Sequence, residues 1–462
     1  MKTAKKLKKT IVFVLKLLLF ASLFGIFFGI FSIRNPWLLD LSRTSAITMV
    51  TFAVLGMALM SVYGGYAIGI QKSKPIIYSL ALATFITDLV THLQLSIMNA
   101  GAKKYGRFVY ETPELLVLVF VLQVVAIVIF TYLGNYIYFL IEPPEKCCVI
   151  ASSQQGLGVL IPKIRRMKKQ YEVKRKIHFK NPEIYQCIDE ADTVFLYDVP
   201  ELDRTQFIDY CYQHNKNIYY NFEMTDVVAL GGKFTTIDDK TFVAHTIKEM
   251  NFEQRVVKRF MDILFSLLGL IIGSPFMLIS AMLIKLEDRG SIFYRQKRLT
   301  KYGRVFEVLK FRTMKEENSI HKSVEKDDDR ITKVGKVLRK FRIDELPQLI
   351  NILCGDMTLV GPRPEMLENV EQYTSQLPEF SYRLRAKAGL TGLAQISGKY
   401  NTSPKDKLVM DLMYIENFSI WQDIKIIFQT VTIFFKASES TEAFARQDTY
   451  DFDEGYGFPE AE

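Results

Sequence analysis

Four apolar runs dominate the first third of the chain, near residues 11 to 31, 47 to 70, 76 to 98 and 115 to 141. Each reaches the roughly 20 residues that a helix needs to cross hydrocarbon, which predicts a four-helix transmembrane bundle over residues 1 to 141. The first run has the basic start of a signal peptide, but it is long and Asn35-Pro36-Trp37 supplies no small-residue cleavage site, so it reads as a retained anchor. Lys2, Lys5, Lys6, Lys8 and Lys9 place the N-terminus inside, and an even number of crossings returns residue 142 to the cytoplasm. Lys103, Lys104 and Arg107, between the third and fourth runs, favour neither side. Asp88 and His92 stand four apart in the third run, where an ionisable side chain has either a task or a packing partner.

The period then shortens. From residue 146 to 245, β-rich runs such as CCVIAS, TVFLYDV and NIYYNF alternate with helical runs, the pattern of a small parallel α/β domain. Its opening loop holds Gly156-Leu157-Gly158, but Ile161 stands where a dinucleotide-binding fingerprint needs its third glycine.

A further apolar run lies within residues 256 to 286 and is broken at Ser274-Pro275. A full crossing here would put the following lysine- and arginine-rich stretch outside; a re-entrant helical hairpin keeps both ends cytoplasmic, and an ordinary kinked span is the alternative. Pro275 cannot donate its backbone hydrogen bond, so a carbonyl one turn earlier is freed, which the Ser274 hydroxyl or neighbouring protein can satisfy at membrane depth.

Charge and cysteines refine this picture. The formal charge of +9 is spread beside apolar segments and charged motifs instead of forming one stripe, which favours an anionic membrane and anionic substrates over nucleic acid. Cys147, Cys148, Cys187, Cys211 and Cys354 include no CxxC pair and are odd in number, so they read as reduced structural thiols.

Charged motifs then follow in order: KRFMD from Lys258 to Asp262, the Ser274-Pro275 break, KFRTM from Lys310 to Met314, DRITKVG from Asp329 to Gly335, and RIDELPQLINIL from Arg342 to Leu353. GDMTLVGPRP and AGLTGLAQISG complete the set. Together they resemble the bacterial polyprenyl-phosphate hexose-1-phosphate transferases of the sugar transferase family, in the long form with four N-terminal transmembrane helices. The resemblance implies a membrane α-helical bundle (1 to 141), a Rossmann-like α/β domain (146 to 245), an α/β catalytic module with a re-entrant membrane helix (250 to 437) and an acidic tail (438 to 462). The tail's composition predicts disorder.

Asp344 and Glu345 sit just before Leu346-Pro347 and an apolar helical run, so they crown a helix N-terminus where free amides favour anions. Helix capping accounts for such a position equally well. The resemblance implies that Asp344 attacks the β-phosphorus of a nucleotide sugar while Glu345 assists, with a phosphosugar held on Asp344. It implies Mg²⁺ on Asp344 and Glu345, a UDP-hexose donor, undecaprenyl phosphate as acceptor, UMP as leaving group and a homodimer in a bacterial inner membrane.

Lys310 and Arg312 fall on one face of a predicted strand, spaced to grip diphosphate oxygens or to face solvent. Arg363, stiffened between two prolines, can offer its fork to phosphate or its plane to uracil, or end a plain turn. Arg339, Lys340 and Arg342 make a local positive field that would hold anionic substrates or lipid headgroups, or they form a plain charged helix face. By the resemblance, Asp423 matches a further functional acid of the family and joins Lys310, Arg312, Arg342 and Arg363 as a substrate-binding residue. The stretch from Ser419 to Phe435, with Trp421, fits either an interfacial helix or core packing.

The reading is thus an undecaprenyl-phosphate sugar phosphotransferase that starts a capsular, exopolysaccharide or O-antigen chain. Two alternatives stay open: a glycosyltransferase moving the bare sugar with a metal on Asp327 to Asp329, and a non-catalytic membrane scaffold.

Overall fold

The computed structural model describes residues 2–40, 42–64, 66–102, 113–141, 143–245, 250–315, 330–398, 402–435 and 451–453. Lys103, Lys104, Arg107, Asp327 to Asp329 and all of the acidic tail except Asp451 to Asp453 lie outside the described residues. The chain forms two compact units, Met1–Asn221 with Arg446–Glu462, and Phe222–Ala445.

In the first unit, helices α1 (Lys2–Ser32), α2 (Arg43–Val62), α3 (Ser73–Ala102) and α4 (Pro113–Ile141) pack as a bundle. All four are long and apolar enough to cross a membrane. Phe27, Phe31 and Phe52 are fully buried between them. The second apolar run was expected to continue to residue 70, but α2 ends at Val62. Gly64 and Gly69 have φ of +94° and +75°, a left-handed backbone that glycine adopts without penalty and that turns the chain back. Asp88 and His92 point into the bundle: Gln123 donates to Asp88 Oδ1 at 3.3 Å and to the Leu23 carbonyl at 3.0 Å, and Phe31 packs on His92.

Strands β1 (Glu145–Ala151), β2 (Tyr171–His178), β3 (Thr193–Tyr197) and β4 (Asn217–Tyr220) make a parallel sheet in the order β2-β1-β3-β4. Helix α5 (Gln154–Arg165) covers one face, and α6 (Ile184–Glu190) with α7 (Glu201–Gln213) covers the other. Gly156 sits in the first turn of α5, where a Cβ would meet the Tyr197 ring at 3.0 Å, and Ile161 is buried in the same interface. Close helix-to-strand packing therefore accounts for that glycine. The expectation of five reduced thiols is corrected: Cys148 on β1 is disulfide-bonded to Cys187 on α6, while Cys147, Cys211 and Cys354 are free. Spacing along the chain could not reveal a pairing that the stacking of α6 on the sheet creates.

The second unit opens with α8 (Met224–Gly231), the hairpin β5 (Lys233–Ile237) and β6 (Lys240–Ala244), and the long helix α9 (Phe252–Asp288). It continues through the hairpin β7 (Phe293–Leu299) and β8 (Val305–Phe311), then α10 (Lys333–Lys340), α11 (Gln348–Cys354), β9 (Thr358–Val360) and α12 (Leu367–Gln376). Strand β10 (Gly389–Thr391), which pairs in parallel with β9, and helices α13 (Leu393–Ser397), α14 (Pro404–Glu416) and α15 (Ile420–Phe435) complete it.

Helix α9 is the fifth helix able to cross a membrane by length and composition, and the expected break at Ser274-Pro275 is corrected: the helix runs unbroken through both residues instead of folding back as a hairpin. Proline removes the donor that Ile271 O would have received, and Ser274 Oγ donates to that carbonyl at 2.8 Å instead. Lys258, Asp262, Ser266, Gly273, Ser280 and Ile284 form a buried stripe along α9, while Ile271, Ile272, Leu278 and Leu286 are exposed. Its buried side therefore faces the rest of the unit and its bare side is apolar. In α15, Ile426 is buried in the core shared with β8, β9 and α11, whereas Trp421 is exposed, so the helix packs on one side only.

Candidate active site

Two glycine-rich turns build the floor of the site. A Cβ on Gly361 would meet Lys387 O at 2.3 Å, and one on Gly389 would meet Gly361 N at 2.1 Å. The GPRP and AGLTG motifs are thus backbone pressed on backbone, which only glycine permits. That contact aims Arg363 out of the end of β9. Arg298 donates to Pro364 O at 3.1 Å and Arg383 donates to Arg363 O at 2.8 Å, so the loop is fixed on both sides of the arginine. Buried Arg383 is itself held by Asp411 at 2.7 Å.

Facing Arg363 is the turn between α10 and α11. Thr332 caps α10 by accepting from Gly335 N at 2.9 Å, and Gly335 lies so close to Thr313 O that a Cβ would come within 2.3 Å of it. After α10, Arg342 takes a left-handed φ of 54°, and the 3-10 turn Ile343–Glu345 follows. The carboxylate pair therefore occupies its own tight turn, one residue pair ahead of the Pro347 cap of α11. Leu346 and Leu349 seat this turn against Gly273 and Gly269 in the middle of α9.

The two carboxylates differ. Glu345 Oε1 accepts from Arg363 at 2.7 Å and pairs with Lys310 at 3.5 Å. Burial alone would raise its pKa, but Arg363 and Lys310 outweigh burial and hold it well below the usual carboxylate range. Asp344 has no hydrogen bond or ion pair of its own among the described residues. Burial, then repulsion from Glu345, pushes its carboxyl up to about 6, against the more distant attraction of Lys310, Arg339 and Arg363. Burial also lowers the Lys310 ammonium from its ordinary value, with Glu345 opposing.

Of the residues singled out from sequence, Asp344, Glu345, Lys310 and Arg363 thus come together. Arg342 is exposed at the hinge of the turn. Arg312 is turned away from them: it forms a two-pronged ion pair with Asp288 at the end of α9 and donates to Ser291 O at 2.6 Å. A Cβ on Gly290 would fall within 2.7 Å of that guanidinium. Asp423 is paired with Lys258 of α9, and the Tyr414 hydroxyl lies 2.7 Å from its Oδ1. Lys258 also reaches Val360 O at 3.0 Å, and Asp262 accepts from Thr358 Oγ1 and Leu359 N, each at 2.9 Å. The KRFMD motif and Asp423 therefore bolt the first half of α9 to β9 and α15. The sequence reading assigned KRFMD no role; its Lys-to-Asp spacing of four, one helical face, was the available signal.

Two adjacent carboxylates, one of them unpartnered, suit Mg²⁺, which binds through one or two carboxylates and completes its shell with water and substrate phosphate. A divalent ion beside Asp344 would also favour its ionised form, against the burial and the Glu345 charge that raise its pKa.

The family model for bacterial sugar transferases matches residues 253–437. A UDP-N-acetylgalactosamine-undecaprenyl-phosphate N-acetylgalactosaminephosphotransferase of Aeromonas hydrophila is 43% identical over 180 residues, 38% of this chain and 43% of the relative. A UDP-glucose:undecaprenyl-phosphate glucose-1-phosphate transferase of Caulobacter vibrioides is 40% identical over 181 residues, 38% of this chain and 68% of the relative. An exopolysaccharide production protein of Sinorhizobium fredii is 40% identical over 193 residues, 38% of this chain and 84% of the relative. The last two relatives are matched over more than two thirds of their length, and the residues matched by the family model include Lys310, Asp344, Glu345 and Arg363. This chain belongs to the bacterial sugar transferase family.

Proposed function

We propose that this protein transfers a hexose-1-phosphate from a UDP-hexose to undecaprenyl phosphate, the first membrane-bound step of a capsular, exopolysaccharide or O-antigen chain. The observation that carries the reading is the asymmetry of the carboxylate pair: Glu345 is locked to Arg363 and Lys310, and Asp344 beside it is left to react.

In this mechanism the Asp344 carboxylate attacks the β-phosphorus of the donor. The β-phosphorus–oxygen bond to UMP breaks, UMP leaves, and the sugar phosphate stays on Asp344 as an acyl phosphate. An oxygen of undecaprenyl phosphate then attacks the same phosphorus and releases the free carboxylate, leaving undecaprenyl diphosphate sugar. Arg363 and Lys310 stand where the phosphoryl oxygens would gather charge, and the fixed loop around Arg363 keeps its fork aimed without reorganisation. Asp344 and Glu345 would hold Mg²⁺, which supplies charge neutralisation for the diphosphate.

We also read α9 as re-entrant in a bacterial inner membrane, with the catalytic module cytoplasmic. Near its start, Lys258 and Asp262 are bonded to β9 and α15; near its end, Glu287 accepts from Lys333 N at 2.8 Å and Asp288 pairs with Arg312. That one unit holds both ends of α9 supports a reading in which both ends lie on one face of the bilayer. The acceptor's phosphate would then meet Asp344 beside the middle of α9, where the bare apolar residues enter lipid.

The relatives' names include both N-acetylgalactosamine and glucose donors at similar identity over the same module, so the hexose is left to a panel. Purified protein in nanodiscs containing undecaprenyl phosphate, with Mg²⁺ and UDP-glucose, UDP-galactose, UDP-N-acetylglucosamine or UDP-N-acetylgalactosamine, should release UMP with one of them. Release of UDP instead would overturn the reading in favour of bare-sugar transfer.

A further inference from the structure

The chain returns to the first unit at Asp451-Phe452-Asp453, which lie against β2 and the start of α5. β2 is an edge strand, paired on one side with β1. On its open side, Asp453 N donates to Lys176 O at 2.9 Å and Lys176 N donates to Asp453 Oδ2 at 2.6 Å. The Lys176 ammonium lies 3.0 Å from Asp453 Oδ1 and donates to Asp451 O at 3.2 Å, and Gln154 of α5 donates to Asp451 Oδ1 at 3.1 Å. Between the two aspartates, Phe452 joins the apolar cluster of Leu157, Ile161, Tyr171 and Val173 and meets the His178 ring edge-on at 5.4 Å.

Three kinds of recognition thus converge on three residues: main-chain pairing at a sheet edge, charge, and an aromatic anchor. A bare strand edge would accept any extended chain; alternate side-chain contacts are what confer choice. The location matters too. His178 ends β2, and its Nε2 lies 3.1 Å from Ser152 O in the loop that follows β1, so the tail covers the carboxyl ends of two parallel strands. In this strand order the switch point, where open parallel α/β sheets take ligands, lies between β1 and β3, next to the edge that the tail covers. Charge is local: on β2, Lys174 pairs with Glu172 and Arg175 with Glu183, and Lys176 is the cation that meets the tail.

We propose that the α/β domain is a docking site for an acidic-aromatic peptide, and that the chain's own Asp451-Phe452-Asp453 is its resident occupant. The domain then reads the segment that follows the catalytic module, and any ligand entering at this rim must displace the tail.

Hydrogen exchange on the full-length protein in detergent tests this directly. The Lys176 amide reports docking, because its hydrogen-bond acceptor is the Asp453 side chain. Its exchange should quicken about tenfold or more in Phe452→Ala and in Asp453→Lys, while Val149 and Ile150 of β1 stay protected as the control for an intact sheet. A fluorescein-labelled peptide of residues 447 to 462 should bind the Phe452→Ala protein and not the wild type, whose site is filled. Unchanged Lys176 exchange in Phe452→Ala would overturn the proposal. Protection that falls on dilution would overturn the assignment to the same chain, since docking within one chain is independent of concentration.

Discussion

Two buried acid clusters of the second unit share a chemistry and differ in how completely it is satisfied. Asp262 accepts from a hydroxyl and a backbone amide, and Asp423 is held by Lys258 and the Tyr414 hydroxyl. Every carboxylate there has a partner, and the cluster joins α9 to β9 and α15. In the other cluster the partners fall on Glu345 alone, and Asp344 keeps a raised pKa of about 6. A satisfied acid fixes structure; one left short of partners beside two cations is poised for chemistry. The comparison therefore separates activity from stability residue by residue.

The largest effect should come from Asp344→Asn. With the nucleophile gone, UMP release should fall by about a thousandfold or more. The folded carboxyl keeps its proton to about pH 6 and the free one only to 3.8, so stability is lost as pH rises between those values. Removing the charge should consequently leave Tm at pH 7 unchanged or higher, which a thermal melt beside the assay would read. A fall in both would erase the distinction between the clusters.

Arg363→Ala comes next. It strips Glu345 of its closest cation and the phosphoryl oxygens of theirs, and kcat/KM should drop about a hundredfold. Arg363→Lys should recover little of that loss, because an ammonium cannot reproduce the fork.

Asp423→Asn should behave in the opposite sense to Asp344→Asn. It leaves the buried Lys258 charge uncompensated, at a cost of about 3 kcal/mol, seen as a lower Tm or urea midpoint, while the folded fraction keeps its activity within about tenfold. An unaltered Tm with abolished turnover would place Asp423 in the chemistry.

The smallest effect is on pH. In the proposed mechanism only ionised Asp344 attacks, so the acid limb of kcat/KM should fall about tenfold per pH unit below about 6, and should move to lower pH as Mg²⁺ is raised. A limb that ignores Mg²⁺ would argue against the ion lying beside Asp344.

Much of this was legible in the chain. The four apolar runs and the alternating α/β segment have periods that survive in α1 to α4 and in the parallel sheet, because burial imposes them directly. The missing donor of Pro275 did free a carbonyl one turn earlier, and of the two partners open to it Ser274 serves Ile271 O, although the break expected there did not form. What escaped depended on distant partners. Lys310 and Arg312 look equivalent along a strand, yet Lys310 lies at Glu345 and Arg312 at Asp288, because β8 ends between them. Asp423 gave no sign that Lys258, far back in the sequence, was its partner. The disulfide between Cys148 and Cys187 was hidden for the same reason, and α2 stopped early because two glycines with positive φ looked, in composition, like part of an apolar run.

The measurement that tests the central claim most directly omits the acceptor. Wild-type protein mixed with Mg²⁺ and the active UDP-hexose, carrying label in its β-phosphate, should release one UMP per chain in a single burst. Peptide mapping after acid quench should then place the labelled phosphosugar on Asp344, and undecaprenyl phosphate added before the quench should discharge it. Label that maps elsewhere, or a burst that persists in Asp344→Asn, would contradict the account.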